Sequence, residues 1–413
     1  RELQQQQQQH QGNKQIIMPF AHVNAAVPVR LFYEIHFPRC TETGSGHKSE
    51  RCGLPGMRCF LCTGFQTEGY NWKPQVDVLL EHGYTCVTFD NRGCGRSGQP
   101  CHRYTTKIFA RDALELLRLE IGWRPQETHL IAISMGGMYA LEMMAGLLEG
   151  AFASVSPDMD RGSHFLSAAL LVTQSVGWRS VQGLIPVGFF SSIASSLVPG
   201  ISARAKMYRS MQQAFSRKWL RADSGTKHPR TGVALSNGQV LARRGAAQHY
   251  AKLREGVPPT SSSFAYMSQV AAVATHYVSR QRLQDMARQL AVVCPLLIVC
   301  AGRDRLVHYQ AQHNLVDALK DACVRVLDLR GSAHAVTDEC SIEVNAALLE
   351  LLEVAHQQQQ QQQRRQRDSR QGATLSQTNL KGDCGQGKQA LLSSSGACSH
   401  SDAEAAAAPP AAA

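Results

Sequence analysis

The chain has 413 residues, a formal charge of +11 and 13 cysteines. That length holds one large α/β domain with an insertion, or two domains. No run of about 20 uncharged apolar residues appears, which argues against a membrane-spanning helix. The nearest candidate, Gly183 to Ile201, is broken by two prolines and four serines. An odd cysteine count without paired spacing points to a reducing, cytoplasmic setting rather than a disulfide scaffold. The first residue is Arg, so the sequence is expected to be a fragment or processed product whose targeting signal is not visible.

The positive charge is concentrated. Between Gly177 and Gly256, thirteen Lys or Arg stand against Asp223 and Glu255, and the rest of the chain is near neutral. The aromatics in this stretch, Tyr208, Phe215, Trp219 and Tyr250, follow no nucleic-acid-binding pattern, so no nucleic-acid partner is expected.

In chain order, residues 1–17 are Gln-rich without apolar periodicity and are expected to be disordered. Val23 to Phe37 reads as two strands joined by a turn, and Arg39 to Gly56 as a surface loop. The apolar strand Met57 to Cys62 runs into T-G-F-Q-T-E-G-Y. It carries Cys59 and Cys62, a C-x-x-C with Cys40 and Cys52 upstream, but a place inside a strand and the spacing to the other two fit no zinc pattern. No metal or cofactor is expected.

A helix over Trp72 to His82 leads to the strand Tyr84 to Phe89, whose exit D-N-R-G-C-G-R-S-G makes a tight turn. Tyr104 to Ile121 has helical apolar spacing, and Thr128 to Ile133 is a strand. After Ala151 to Gly162, a loop, Phe165 to Val172 reads as another buried strand. This alternation predicts a mostly parallel, eight-stranded sheet with helices on both faces.

The alternation then stops. Residues 174–290 read as an inserted helical cap, dividing a core of 18–173 and 291–356. The core resumes with the strand in Pro295 to Arg305, a helix from Gln310 to Lys320, the strand Val324 to Leu329 and an amphipathic helix from Ser341 to Ala355. Residues 357–413 are low complexity and are expected to be a solvated tail.

The chemistry centres on A-I-S-M-G-G, Ala132 to Gly137, where a strand turns sharply into a helix at Ser134. Such a corner forces a strained backbone that lifts the serine hydroxyl clear of the sheet, and small neighbours are required because strand and helix nearly touch. The plainer reading of Ser134 is a helix-capping serine. A serine nucleophile needs a base, and the base needs a carboxylate to fix its tautomer. Asp304, after the strand that ends in A-G-R-D, and His334, in the loop G-S-A-H-A, complete that set at strand ends. Asp90, His102, His276 and His308 are the other acids and histidines weighed. An oxyanion needs donors: the Met135 backbone N–H is one and the Phe65 N–H, after T-G, the second.

The motifs T-G-F (Thr63 to Phe65), F-D-N-R-G-C-G-R-S (Phe89 to Ser97), A-I-S-M-G-G, A-G-R-D (Ala301 to Asp304) and G-S-A-H (Gly331 to His334), in that order, resemble the α/β-hydrolase superfamily, in its branch of serine esterases and lipases. The resemblance implies an α/β-hydrolase fold with Ser134, His334 and Asp304 as a catalytic triad cleaving acyl esters. Thr63-Gly64 replaces the family's usual His-Gly. Serine at 134 argues against the epoxide hydrolase and haloalkane dehalogenase types, and Asp338 falls one residue short of an acyltransferase H-x-x-x-x-D. Acyl transfer and a non-catalytic ligand-binding role are the alternatives. Apolar Leu184 to Val198 beside the cationic stretch suggests a lipid-like ester with an anionic head group and weak association with an anionic membrane surface.

Overall fold

The computed structural model describes residues 9–11, 14–17, 19–38, 57–177, 203–258 and 260–383; side chains are described within 19–38, 57–177, 209–258 and 260–364. Residues 1–359 form one compact unit and residues 360–413 another.

The first unit is built on strands β3 (Phe20–Val23), β4 (Val29–His36), β5 (Arg58–Cys62), β6 (Thr85–Phe89), β7 (His129–Ile133), β8 (Ser167–Leu171), β11 (Leu296–Ala301) and β12 (Val324–Leu329). The order across the sheet is β4-β6-β5-β7-β8-β11-β12, with β3 paired to β4. From β6 to β12 every neighbouring pair is parallel, while β4 joins β6 antiparallel. Strands β5 to β8 and β11 are almost wholly buried, as a parallel sheet covered on both faces requires. Each face carries its own apolar cluster. Cys62 packs with Phe60 and Tyr139 on one side, and Cys59 with Leu61 and Trp72 on the other or at its rim. Both cysteines are thus small core side chains, and no group of three or more potential metal ligands occurs among the described residues.

The core helices are α1 (Lys73–Glu81), α2 (Thr106–Glu115) and α3 (Met135–Glu149) before the cap, and α8 (Arg280–Leu290), α9 (Tyr309–Ala318), α10 (Val336–Glu339) and α11 (Ser341–Asp383) after it. Between them lie α4 (Ala203–Ala214), α5 (Arg217–Arg221), a hairpin of β9 (Asp223–Lys227) and β10 (Ala234–Ser236), α6 (Asn237–Arg254) and α7 (Ser263–Thr275). The two chain segments at the neck of this cap pair with each other: Gly177 N–H donates to His276 O (2.6 Å) and Val278 N–H to Ser175 O (2.8 Å).

Four expectations are corrected. The Gln-rich N-terminal stretch is not wholly disordered, because β1 (Gln9–Gln11) and β2 (Lys14–Ile17) extend the sheet to ten strands, β2 pairing with the outer edge of β4. An open strand edge satisfies any backbone laid along it, whatever its side chains. The cap ends sooner than residue 290: α8 buries Leu283, Met286, Ala287 and Leu290 in the core, and Arg282 reaches Glu142 on α3 (2.6 Å). The cap is not purely helical, since it contains the β9–β10 hairpin. The final helix does not stop near Ala355 but runs to Asp383, because Gln, Arg and Ala are good helix formers and no proline intervenes. The apolar stretch Leu184 to Val198 lies outside the described residues, and among the described residues no helix is long and apolar enough to cross a membrane.

Candidate active site

Because β5 to β12 of the core run parallel, their carboxyl ends share one rim, and ligands of such sheets bind there. Ser134 follows β7 directly, Asp304 follows β11 and His334 follows β12.

Ser134 has φ 56° and ψ −121°, a conformation that side-chain-bearing residues rarely adopt. A capping serine is extended and its hydroxyl accepts from the first helical turn. Ser134 is neither: its side chain makes no cap hydrogen bond. The strained backbone is held from both sides, the N–H donating to Leu171 O (2.9 Å) and the carbonyl accepting from Thr173 Oγ1 (2.7 Å). The corner is also sterically closed. A Cβ on Gly136 would fall 2.7 Å from Thr63 O and closer still to Cys62 O, so only glycine lets α3 pass the end of β5.

Asp304 is fully buried at its side chain. Its Oδ1 accepts from the N–H groups of Leu306 (2.7 Å) and Val307 (2.9 Å), and its Oδ2 from Gln312 Nε2 (3.2 Å) and His334 Nδ1 (2.6 Å). It is not the cap of α9, a role taken by His308. Facing a carboxylate oxygen, His334 Nδ1 must be the donor, which leaves Nε2 as the acceptor when the ring is neutral.

The two oxyanion candidates flank the serine. Met135 N–H opens α3, where backbone donors have no partner within the helix and the dipole is positive. Phe65 follows Gly64, where an added Cβ would stand only 3.2 Å from Ser134 Cβ, so its loop lies directly on the nucleophile corner. Asn91 Nδ2 anchors that loop through Thr63 O (3.1 Å) and Thr63 Oγ1 (3.0 Å). From the cap, the fully buried Gln269 accepts from Gln66 N–H (3.0 Å) and donates to Arg92 O (2.8 Å). Gln66 itself has φ 52°. Neither Asn91 nor Gln269 was singled out from the sequence. Asn91 could have been, as the first residue past Asp90 at a strand end; Gln269 carries no local signal.

Ser134, Met135, Phe65 and His334 line one cavity of about 320 Å³, roofed by cap residues including Phe215 and Tyr266. Among the described residues no hydrogen bond joins the Ser134 hydroxyl to His334. The histidine loop is tied to the cap, Ala335 N–H donating to Ala214 O (2.9 Å) and Glu339 accepting from both Ser216 N–H and Ala333 N–H.

The other acids and histidines are occupied elsewhere. Asp90 shapes its own turn by accepting from Gly69 and Arg96 N–H (2.8 Å each), and burial, with Glu68 nearby, pushes its carboxyl up to about 7. His102 meets Arg92 Nη1 (2.7 Å). His276 is buried against Thr106 Oγ1 at the cap neck, where burial, helped by Arg282, pushes its imidazole down to about 3.

The sequence matches the Alpha/beta hydrolase family over residues 59–347. The chain belongs to that family. Among curated relatives, it is 22% identical over 323 residues to RutD of Variovorax paradoxus, provisionally named a carbamate hydrolase, covering 78% of this chain and 96% of that one. Among solved structures, an esterase from Exiguobacterium antarcticum superposes with a TM-score of 0.56 at 14% identity, covering 81% of this chain and 99% of the esterase. An enol-lactonase from Burkholderia xenovorans does so with a TM-score of 0.51 at 18% identity, covering 81% and 99%. At these identities the two structures establish the α/β-hydrolase fold.

Proposed function

We propose that this α/β-hydrolase is a serine esterase that cleaves acyl esters through a Ser134–His334–Asp304 triad and an acyl-enzyme. The observation that carries the reading is the combination of a strained, uncapped serine and an Asp-oriented imidazole on the same cavity. The relatives named esterase and enol-lactonase, and the one provisionally named a carbamate hydrolase, share a substrate carbonyl bonded to oxygen or nitrogen, which supports an acyl substrate.

In this mechanism Ser134 Oγ attacks the ester carbonyl while His334 Nε2 takes its proton. The N–H groups of Met135 and Phe65 stabilise the tetrahedral oxyanion. Asp304 holds Nδ1–H and stabilises the imidazolium. Collapse breaks the C–O bond, and His334 returns its proton to the departing alcohol. Water, deprotonated by the same imidazole, then adds to the acyl-enzyme, and the acid leaves as Ser134 recovers its proton. The serine–histidine hydrogen bond forms on substrate binding, as catalytic contacts commonly tighten only in the complex.

A fluorophosphonate probe tests the reading. The full chain should label at Ser134 and turn over a p-nitrophenyl acyl ester, and Ser134→Ala should lose labelling and at least about 10³-fold in kcat/KM. A wild-type protein that neither labels nor hydrolyses such esters sinks the proposal and leaves a ligand-binding role for the cavity.

A further inference from the structure

The cap leaves a set of cations unpaired in water. Arg217, Lys218 and Arg221 of α5, Lys227 and Arg230 of the β9–β10 hairpin, and Arg243 and Arg254 of α6 are exposed, and none is in an ion pair among the described residues. Two acids occur between residues 209 and 258, and neither pairs with them: Glu255 is held by Arg96, and Asp223 accepts from Gly225 N–H (2.9 Å). The same elements keep large apolar side chains in water, with Val233 62%, Tyr250 65% and Leu253 51% exposed. At about 3.6 residues per turn, Arg243, Tyr250 and Arg254 share one stripe of α6 with Ala247 between them, and Leu253 lies alongside. Lys252, which reaches Glu68 of the core, projects from the opposite side of that helix, so the stripe points away from the core. The start of α6 is tied to α5, Asn237 N–H donating to Ala222 O (2.9 Å) and Asn237 Nδ2 to Trp219 O (3.0 Å). This block adjoins the acyl cavity: Phe215, just before α5, lines the cavity and stacks on Trp219 of that helix with ring centroids 5.0 Å apart.

We infer that this face of the cap docks on an anionic membrane surface, from which the adjoining cavity takes its ester. The docking stands on the surface alone, and only the delivery of an ester rests on the esterase reading. Each Lys or Arg brought to an anionic bilayer strengthens partitioning by roughly fivefold, so even half of the seven cations would act together as a strong anchor. The exposed Tyr and Leu beside them choose among polyanions. A nucleic acid neutralises the cations but leaves Val233, Tyr250 and Leu253 in water, whereas a bilayer takes charge at the head groups and apolar side chains just below them. The place of α5 then gives the docking a use. The helix that meets the head groups is the one whose Trp219 backs the cavity wall, so an ester held in that surface lies close to the wall around Ser134.

The test sediments the full chain with vesicles of phosphatidylcholine, with and without phosphatidylserine. Partitioning should be at least about a hundredfold stronger onto the vesicles with phosphatidylserine, and should weaken as salt is added. Arg217→Gln, Lys218→Gln and Arg221→Gln together should weaken it by about a hundredfold. Tyr250→Ser with Leu253→Ser should weaken it by about tenfold while leaving binding to heparin unchanged, because only the bilayer receives the apolar side chains. Melting temperatures report that both variants fold, so docking is judged even if the esterase reading fails. If that reading holds, hydrolysis of p-nitrophenyl palmitate carried in the anionic vesicles should fall with docking in the triple variant, while turnover of dissolved p-nitrophenyl acetate stays at the wild-type rate. Equal binding to both vesicle types, a triple variant that binds as the wild type does, or binding to heparin without binding to vesicles would each overturn the docking. Palmitate turnover that persists when docking is lost would overturn the delivery of the ester.

Discussion

From Met135 to Leu148 every residue of α3 is buried, whereas α6, eighteen residues long, buries only Lys252. The nucleophile corner is thus fixed by packing on all sides, whereas α6 is held mainly through ion pairs near its C-terminal end, Lys252 to Glu68 and Arg96 to Glu255 (2.6 and 3.0 Å). Close packing yields little to a small change and resists it steeply, while a partly exposed ion pair such as Arg96–Glu255 contributes roughly 0–1 kcal/mol and is screened by salt. Damage at the corner should appear as lost stability or lost turnover; damage in the cap should appear first as altered substrate binding and selectivity.

The largest effect expected on the core side, apart from removing Ser134, is that of Asp304→Asn. The substitution keeps an oxygen for Leu306 and Val307 N–H. It presents an amide N–H₂ toward His334 Nδ1, which favours the wrong tautomer, so kcat should fall by about 10³- to 10⁴-fold with little change in melting temperature. Steady-state kinetics with a p-nitrophenyl ester would show it. A loss of less than about tenfold would mean that Asp304 is a structural acceptor only.

Next in size is Gly136→Ala. Its Cβ would overlap the carbonyls of Cys62 and Thr63, which are backbone and cannot swing away, so the strand and helix must part at a cost of about 2–3 kcal/mol. A urea midpoint measures this. The cap offers a paired control: at Gly238, near the start of α6, an added Cβ would meet Leu220 O at 3.1 Å, a contact that an exposed helix can relax. Gly238→Ala should shift stability by less than about 1 kcal/mol. If the two glycines cost the same, the contrast between a packed corner and a loosely tied α6 is wrong.

The same contrast explains what could be read in advance. Buried parallel strands must be apolar on both faces, so β5, β7, β8 and β11 stood out as short apolar runs, and Ser134 and Asp304 stood out because each follows one of them; His334 follows the half-exposed edge strand β12 and was read from its small-residue loop G-S-A-H-A. Elements whose place depends on a distant partner did not. Helix α8 reads R-Q-R-L-Q-D-M-A-R-Q-L, polar enough for a cap, and only its four buried residues on one stripe, together with the Arg282 pair to Glu142, assign it to the core. Strands β1 and β2 depend on the free edge of β4 rather than on their own composition. Gln269 lies 203 residues from Gln66, and nothing in S-F-A-Y-M-S-Q-V distinguishes it from a solvated helix face.

Gln269 is also where cap and core can be tested against each other with the smallest expected effect. Its amide spans two backbone groups of the core, Gln66 N–H and Arg92 C=O, and Gln66 adjoins the Phe65 N–H proposed to meet the oxyanion. Gln269→Met keeps the side-chain volume and removes both hydrogen bonds, leaving those groups without their partner at a cost of about 1–2 kcal/mol. If the amide only ties down the cap, that cost should appear in unfolding, with kcat unchanged and KM raised. If it holds the oxyanion loop at its positive-φ turn, kcat should fall about tenfold at constant KM, because the lost positioning matters only when charge develops on the substrate oxygen. We expect the second outcome: Gln269 is fully buried and bonded to the core through both ends of its amide, so in packing it belongs with the corner and not with α6.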